Sequence, residues 1–347
     1  MMSIQTLNFT QSELEEIDIL LDQVTANYSH AEQPELIDTA AVLAQSLPLR
    51  LRQFLHEFKL RETAPACLIK GYPVNDNTIG ATPEHWAGHE DAKRTKREQI
   101  VFVLCSALLG EIFGWLTQQN AYLIHDVFPI KGYEQDQIGS GSEALLLWHT
   151  EDAYHPARGD YLGLMCLRNP CQSITTIGSV DSLKKLTQQQ LDILFQPRFI
   201  IRPDNAHHAD NNYQTETDLD THLQNAYNQI KHKIISQDNA MALLYGEPSA
   251  PYLCVDPAYM EATDEEAKQT LQALIDAIDI EIMDVILQPG DICFVDNFRA
   301  VHGRKPFKAN YDGNDRWLKR INITRDLRKS KTYRSHPTSR IIDKVPS

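Results

Sequence analysis

The chain runs to 347 residues, 42% of them hydrophobic, with a formal net charge of −14; that is enough apolar mass for a sizeable core, and length alone allows one or two domains. The acidity argues against nucleic acid or an anionic membrane surface as the main partner, because either needs a basic face. No apolar run reaches the roughly 18 residues of a membrane span, Met1-Met2-Ser3-Ile4-Gln5 lacks the basic-then-apolar pattern of an export signal, and six cysteines without C-x-x-C spacing read as buried free thiols of a cytoplasmic protein.

Thr10-Gln-Ser-Glu13 is a capping box followed by Leu14, Ile17, Leu20, Leu21 and Val24 at helical spacing, so the chain is expected to open with an amphipathic helix. A second helix is expected over about residues 41–60 and a short strand over 67–73. A long helix should run from the charged stretch 91–98 through the apolar stretch 100–109 to near Gly114. Gln118 and Gln119 follow in a polar segment that reads either as a loop or as amides lining a pocket. Residues 121–204 read as strands and turns, interrupted by one helix capped by Thr187 and Gln190. Residues 205–220 are polar and aperiodic, which suggests disorder or a lid.

Helices are expected over 221–235 and around 271–278, an apolar strand over 291–302, and a final strand over 316–325. With no repeat and no low-complexity linker, the pattern predicts one domain: mainly β, a jelly-roll core wrapped by helices. Residues 1–120 would form a helical flank, 121–204 and 281–328 the core strands, and 205–280 a lid and helical insertion.

The chemistry is concentrated where the apolar run 145–148 ends in His149-Thr150-Glu151. In an extended strand residues i and i+2 face the same way, so His149 and Glu151 can converge. His302, at the end of another apolar run, is the best third ligand. Two His and one carboxylate cap one face of an ion and leave the other positions open, as suits non-haem Fe(II) oxygenases. Arg316 lies 14 residues after His302, and Arg320 lies four further along the same strand face. Buried guanidinium groups need carboxylate partners, which small carboxylic acids would supply.

Three segments together resemble the clavaminate synthase-like Fe(II)/2-oxoglutarate oxygenases, nearest to those that hydroxylate free lysine or arginine. They are His149-Thr-Glu-Asp-Ala-Tyr-His-Pro156, Leu164-Met-Cys-Leu-Arg-Asn-Pro170 and Asp296-Asn-Phe-Arg-Ala-Val-His302-Gly-Arg-Lys-Pro-Phe307. The resemblance implies a double-stranded β-helix (jelly-roll) core, iron on His149, Glu151 and His302, 2-oxoglutarate as cosubstrate and O2 as oxidant. It implies further that Arg316 pairs with the distal carboxylate of 2-oxoglutarate, with Thr176 as a hydroxyl donor. Arg320 would hold the amino acid's α-carboxylate. Gln118 or Gln119, with the second oxygen of Glu151, would take the α-ammonium, with Ser140 or Ser142 beside them. Asp204 would belong to the substrate lid.

For the substrate side chain, the segment 245–252 places Glu247 and then Ser249 where the arginine enzymes of the family carry two acids. One carboxylate suits a compact ammonium better than a planar guanidinium, so L-lysine is expected over L-arginine, hydroxylated at carbon 4 in preference to carbon 3. The rivals are the same chemistry on L-arginine, a zinc hydrolase, and a non-catalytic jelly-roll binding protein. The partner is a small molecule; whether the chain forms a homo-oligomer is not written in the sequence.

Overall fold

A computed structural model of the chain describes residues 4–88, 93–209, 221–236 and 240–345. Its helices are α1 (Gln11–Asn27), α2 (Pro34–Leu43), α3 (Leu49–Arg61), α4 (Asp76–Ile79), α5 (Lys96–Leu109), α6 (Gln188–Leu194), α7 (Thr221–Ile235) and α8 (Glu265–Ile280). The first strands are β1 (Gln5–Asn8), β2 (Ala66–Lys70), β3 (Glu111–Trp115), β4 (Ile124–Val127), β5 (Leu146–His149), β6 (Tyr161–Arg168), β7 (Thr175–Ser179) and β8 (Phe199–Ile201). The remainder are β9 (Leu244–Glu247), β10 (Ala250–Leu253), β11 (Met260–Ala262), β12 (Met283–Val285), β13 (Ile292–Asp296), β14 (Ala300–Arg304), β15 (Trp317–Thr324) and β16 (Ile341–Ile342).

The first helix follows its sequence signal: the Thr10 hydroxyl accepts from Glu13 N, Glu13 Oε2 accepts from Thr10 N at 2.8 Å, and Ile17, Leu21 and Val24 are buried. The single helix expected over 41–60 is instead α2 and α3, separated by a 3₁₀ turn at Ala44–Ser46. Pro48 is the reason. It cannot donate into a continuing helix, and it holds Leu47 in an extended conformation (φ −66°, ψ 155°). The helix expected to reach Gly114 stops at Gly110, where a Cβ would lie 2.2 Å from the Thr324 carbonyl oxygen. Only glycine lets the backbone pass so close to β15, and the chain returns at once as β3, antiparallel to it.

Two sheets form the core. The larger has the order β1-β2-β13-β6-β15-β3-β16, with β4 also paired to β15; the smaller has the order β12-β7-β14-β5. Leu162, Leu164, Cys166, Ile177, Val285 and Leu318 fill the space between them, a sheet-on-sheet arrangement held by apolar burial. On the outer face of the larger sheet, α5 is buried along nearly its whole length beneath α1, α2 and α3. Residues of α6, α8 and the small hairpins pack against the outside of the smaller sheet. This is the jelly-roll core with flanking helices that the sequence implied. The apolar run 291–302 is not one strand but a corner: β13 belongs to the larger sheet, β14 to the smaller, and Asn297 sits at the turn between them.

Candidate active site

The pairing of β5 with β14 sets His302 directly opposite His149, and residues opposed across an antiparallel pair share a face. Glu151 follows two residues after β5 ends. Its peptide is clamped by Asn297, whose Oδ1 accepts from Glu151 N at 2.8 Å while Nδ2 donates to Glu151 O and Gly159 O, each at 3.0 Å. The corner residue therefore fixes the carboxylate. Nε2 of His149 lies 3.5 Å and Nε2 of His302 3.3 Å from Glu151 Oε2. One donor atom from each of the three falls within 4.8 Å of the others.

His149 Nδ1–H donates to the Leu147 carbonyl at 2.9 Å, which leaves Nε2 as a lone pair facing the other two ligands. His302 Nδ1 is buried without a partner among the described residues. Burial would lower the His149 pKa, but Glu151 and Asp256 outweigh it and raise it to about 9; burial and the neighbouring His149 push His302 down. Burial also opposes ionisation of Glu151, yet Arg320 and the two imidazoles hold its carboxyl well below the usual range. Two imidazole nitrogens and a carboxylate oxygen on one side of an open cavity fit an Fe(II) ion.

Arg320 Nη1 donates to Glu151 Oε1 at 2.5 Å, and its Nη2 reaches Gln118 Oε1 at 2.9 Å and His125 Nδ1 at 2.6 Å. His125 Nε2–H donates to Tyr122 O at 3.0 Å, so its Nδ1 is free to accept. Arg316 is buried, 4% exposed, with no hydrogen-bonded or ion-paired partner among the described residues. Burial brings its pKa down to about 10. Arg304, on β14, is similar: burial and the charge of Arg316 lower it to about 10, and among the described residues it donates only to the backbone carbonyls of Ser142, Ala144 and Lys305. Both guanidiniums stand within 6.0 Å of the Phe307 ring. Two unneutralised cations at one end of a cavity constitute a site for a carboxylate.

One open cavity runs past the metal donors and the two arginines. His149, Glu151, His302, Arg316, Arg320 and Asp204, all expected from the sequence, line it. Gln118, Gln119 and Ser140 line an adjoining recess that shares Arg320 with it. Gln119 is spent on the backbone there, accepting from Asp126 N and donating to Asp126 O. Three expected residues lie elsewhere. Thr176 pairs with Gly303 while Thr175 pairs with Arg304, so strand alternation gives the cavity Thr175 and turns Thr176 to the other face. Ser142 contributes its carbonyl to Arg304 and is absent from the cavity wall. Glu247 is exposed at the β9–β10 turn, 3.4 Å from Ser249 Oγ, and does not line the cavity.

The acid that sequence reading missed is Asp256. Thr150 holds its segment in place: Thr150 N donates to Val255 O at 2.8 Å and Val255 N donates to Thr150 Oγ1 at 3.1 Å. Burial pushes the Asp256 carboxyl up to about 6, with the charge of Asp204 adding to the rise. Asn297, Arg304, His125 and Thr175 were missed too. The polar pair Asp296-Asn297 interrupting an apolar run was a readable signal for a corner; the others carry none.

Residues 95–322 match the family model described as taurine catabolism dioxygenase TauD, TfdA family. The chain belongs to this dioxygenase family. It is 44% identical over 330 residues, 93% of its length and 95% of the relative's, to an L-ornithine/L-arginine 3-hydroxylase of Catenulispora acidiphila. It is 40% identical to an enduracididine beta-hydroxylase of Streptomyces hygroscopicus, covering 97% and 99% of the two chains. An L-lysine 3-hydroxylase of Catenulispora acidiphila stands further off, at 28%. Among solved structures, the non-heme iron oxygenase OrfP in complex with Fe, succinate and (3S)-hydroxy-L-Arg superposes with a TM-score of 0.90 at 40% identity, over 97% of this chain and 99% of that one. This member of the TauD/TfdA family is thus an Fe(II)/2-oxoglutarate-dependent oxygenase that uses O2. Among its described residues no helix is long and apolar enough to cross a membrane.

Proposed function

We propose that this oxygenase hydroxylates carbon 3 of a free basic amino acid with a guanidinium side chain, L-arginine foremost. The observation that carries the reading is the pair Asp204 and Asp256. Both line the same cavity as the metal ligands, and the charge of Asp204 helps to raise the Asp256 carboxyl. Neither has a cationic partner in a salt bridge among the described residues. A planar guanidinium presents five donors and is best met by two carboxylates. The preference for lysine rested on Glu247, whose exposed position removes it from the argument. The greater likeness to an L-ornithine/L-arginine 3-hydroxylase, at 44% identity, than to an L-lysine 3-hydroxylase at 28% or an L-lysine 4-hydroxylase at 27% supports arginine and carbon 3 in place of lysine and carbon 4.

Iron held by His149, Glu151 and His302 would supply O2 activation coupled to decarboxylation of 2-oxoglutarate to succinate and CO2. The protein's own work is placement. Arg316 binds the distal carboxylate of 2-oxoglutarate, with Thr175 on the same wall. Arg320 receives the α-carboxylate of the amino acid. Gln118 and Glu151 Oε1 lie where its α-ammonium enters. Asp204 and Asp256 grip the far end. Anchoring both ends leaves the methylenes between them facing the metal. Residues 210–220, the greater part of the segment read as a lid, lie outside the described residues.

The test offers arginine, ornithine and lysine to the iron-loaded protein with ascorbate and 2-oxoglutarate. It scores succinate and the gain of one oxygen by mass, with the position fixed by NMR. Arginine should be turned over with the highest kcat/KM and oxidised at carbon 3; a clear preference for lysine would refute the reading of the two acids.

A further inference from the structure

Behind the cavity wall lies a buried polar unit that the proposed mechanism does not use. His207 closes the 3₁₀ turn Asn205–His207, whose preceding residue is Asp204, and is fully buried. Its Nε2 lies 2.9 Å from Asp152 Oδ1, and the Thr117 hydroxyl lies 2.7 Å from its Nδ1. Trp115 packs edge-on against the ring at 5.3 Å and Tyr154 at 5.1 Å. Asp152 is the residue after the metal ligand Glu151. It too is buried, accepts at 2.6 Å from Trp115 Nε1, and adopts a left-handed backbone (φ 52°). Aspartate tolerates that region better than most residues, and here hydrogen bonds to both of its oxygens hold it.

Gln118 completes the unit. The acceptor it offers Arg320 fixes Oε1 toward the guanidinium, so its Nε2 faces the Asp152–His207 pair, 3.4 Å from Asp152 Oδ1. Gln118 Nε2 thus sits against both members of the pair, 3.0 Å from His207 Nε2, while Asp152 Oδ1 meets His207 and Oδ2 accepts from Trp115. Asp152, Asp204 and His207 are close enough to hold a metal. Both oxygens of Asp152 and both nitrogens of His207 already have protein partners, however, and Asp204 Oδ1 caps Ala206 N at 2.8 Å. The cluster is a hydrogen-bonded brace.

The brace connects the two ends of the substrate cavity. Through His207 it holds the turn that carries Asp204 and Ala206, both on the cavity wall; through Gln118 it holds Arg320. We infer that His207 is a positioning residue that fixes the distance between the α-carboxylate anchor and the side-chain anchor, and so decides which methylene of the bound amino acid meets the oxidant. The inference rests on the assignment of Arg320 and Asp204 as those anchors. Adjacent carbons of the substrate are about 1.5 Å apart, and a misplacement of about 1 Å can cost on the order of 100-fold in rate. A small slip at the brace therefore suffices to change the carbon attacked.

Three variants test this in the iron-loaded full chain, with whichever amino acid of the panel the wild type turns over. A wrong substrate assignment thus shows in the wild type, and a wrong brace shows only in the variants. His207→Phe keeps the ring packed against Trp115 and Tyr154 but removes both nitrogens; Thr117→Val removes the contact at Nδ1 alone; His207→Gln retains one N–H for Asp152. The readouts are the ratio of regioisomers, the succinate formed per hydroxylated product, and KM for each substrate. His207→Phe should raise the minor regioisomer at least tenfold and the succinate-to-product ratio several-fold. It should leave KM for 2-oxoglutarate within about twofold of wild type.

Thr117→Val should move the same ratios less, and His207→Gln should restore them most of the way. If His207→Phe fails to fold, Thr117→Val carries the test alone. Unchanged regioisomer and coupling ratios in Thr117→Val and in any folded His207 variant, or a parallel loss in both KM values with no change in product ratio, would overturn the inference.

Discussion

The two halves of the active-site cavity are built differently. The half proposed to hold iron and cosubstrate stands on sheet: His149 ends β5, His302 and Arg304 lie on β14, Thr175 on β7, and Arg316 directly precedes β15. The half proposed to hold the amino acid stands mostly on connecting segments: Asp204 before a 3₁₀ turn, Asp256 between β10 and β11, and Gln118 after β3, with Arg320 alone on a strand. Sheet positions are held by apolar burial and by ladders, on both sides for β7, β14 and β15 and on one side for β5, so they suit chemistry that does not vary. Segments between elements can change acids and spacing without disturbing the ladder, so they suit the choice of substrate.

If that division is sound, damage on the two sides should separate cleanly. The largest loss is expected for His302→Ala, which removes one of three metal donors: iron uptake measured by metal analysis should fall below stoichiometric and turnover by at least about 1,000-fold. Arg316→Met comes next. Losing a charge-assisted contact of about 1.5–3 kcal/mol should weaken 2-oxoglutarate by about 10- to 100-fold in an anaerobic spectral titration, with iron content unchanged. Unaltered cosubstrate affinity would break the comparison at its sheet side.

On the opposite side, Asp204→Asn or Asp256→Asn should weaken arginine by a similar factor, about 10- to 100-fold, and leave the 2-oxoglutarate titration alone. Asp256 also gives the loop half a pH signature. Its folded pKa of about 6 lies above the ordinary value of 3.8, so the folded protein binds more protons than the unfolded chain between those limits, and stability falls as pH rises through that window. Relief of about two pKa units is on the order of 2–3 kcal/mol. Metal-free Asp256→Asn should therefore melt higher than wild type at pH 8 and equally at pH 3; an equal gain at both would place the cost elsewhere. The smallest effect is expected for Glu247→Gln. Exposed and off the cavity, it should leave KM for every amino acid within about twofold, and a larger shift would return the substrate pocket to the hairpin.

Legibility in the sequence followed the same division. His149-x-Glu151 is readable because the strand period brings i and i+2 together, and Arg316 with Arg320 because i and i+4 share a face even across the bulge between Trp317 and Leu318. Thr176 was one residue off because parity on a short strand depends on its partner: only the pairing of Thr175 with Arg304 shows which face is inward. The family resemblance of segment 245–252 points to Glu247, at the end of β9, and nothing in the neighbours of Asp256 marks it as the cavity acid instead. The distinction comes from Thr150, about 100 residues away in sequence, which ties Val255 to the metal strand.

The sequence by itself determined the helix caps, the apolar strands of a jelly roll and the three donors of an iron site, because each depends on the chemistry and spacing of near neighbours. Only the tertiary structure decided that residues 291–302 turn a corner at Asn297, that Asp256 faces the cavity and that His207 lies against Asp152. Those outcomes depend on how distant segments pack, and no local periodicity encodes which buried groups will meet.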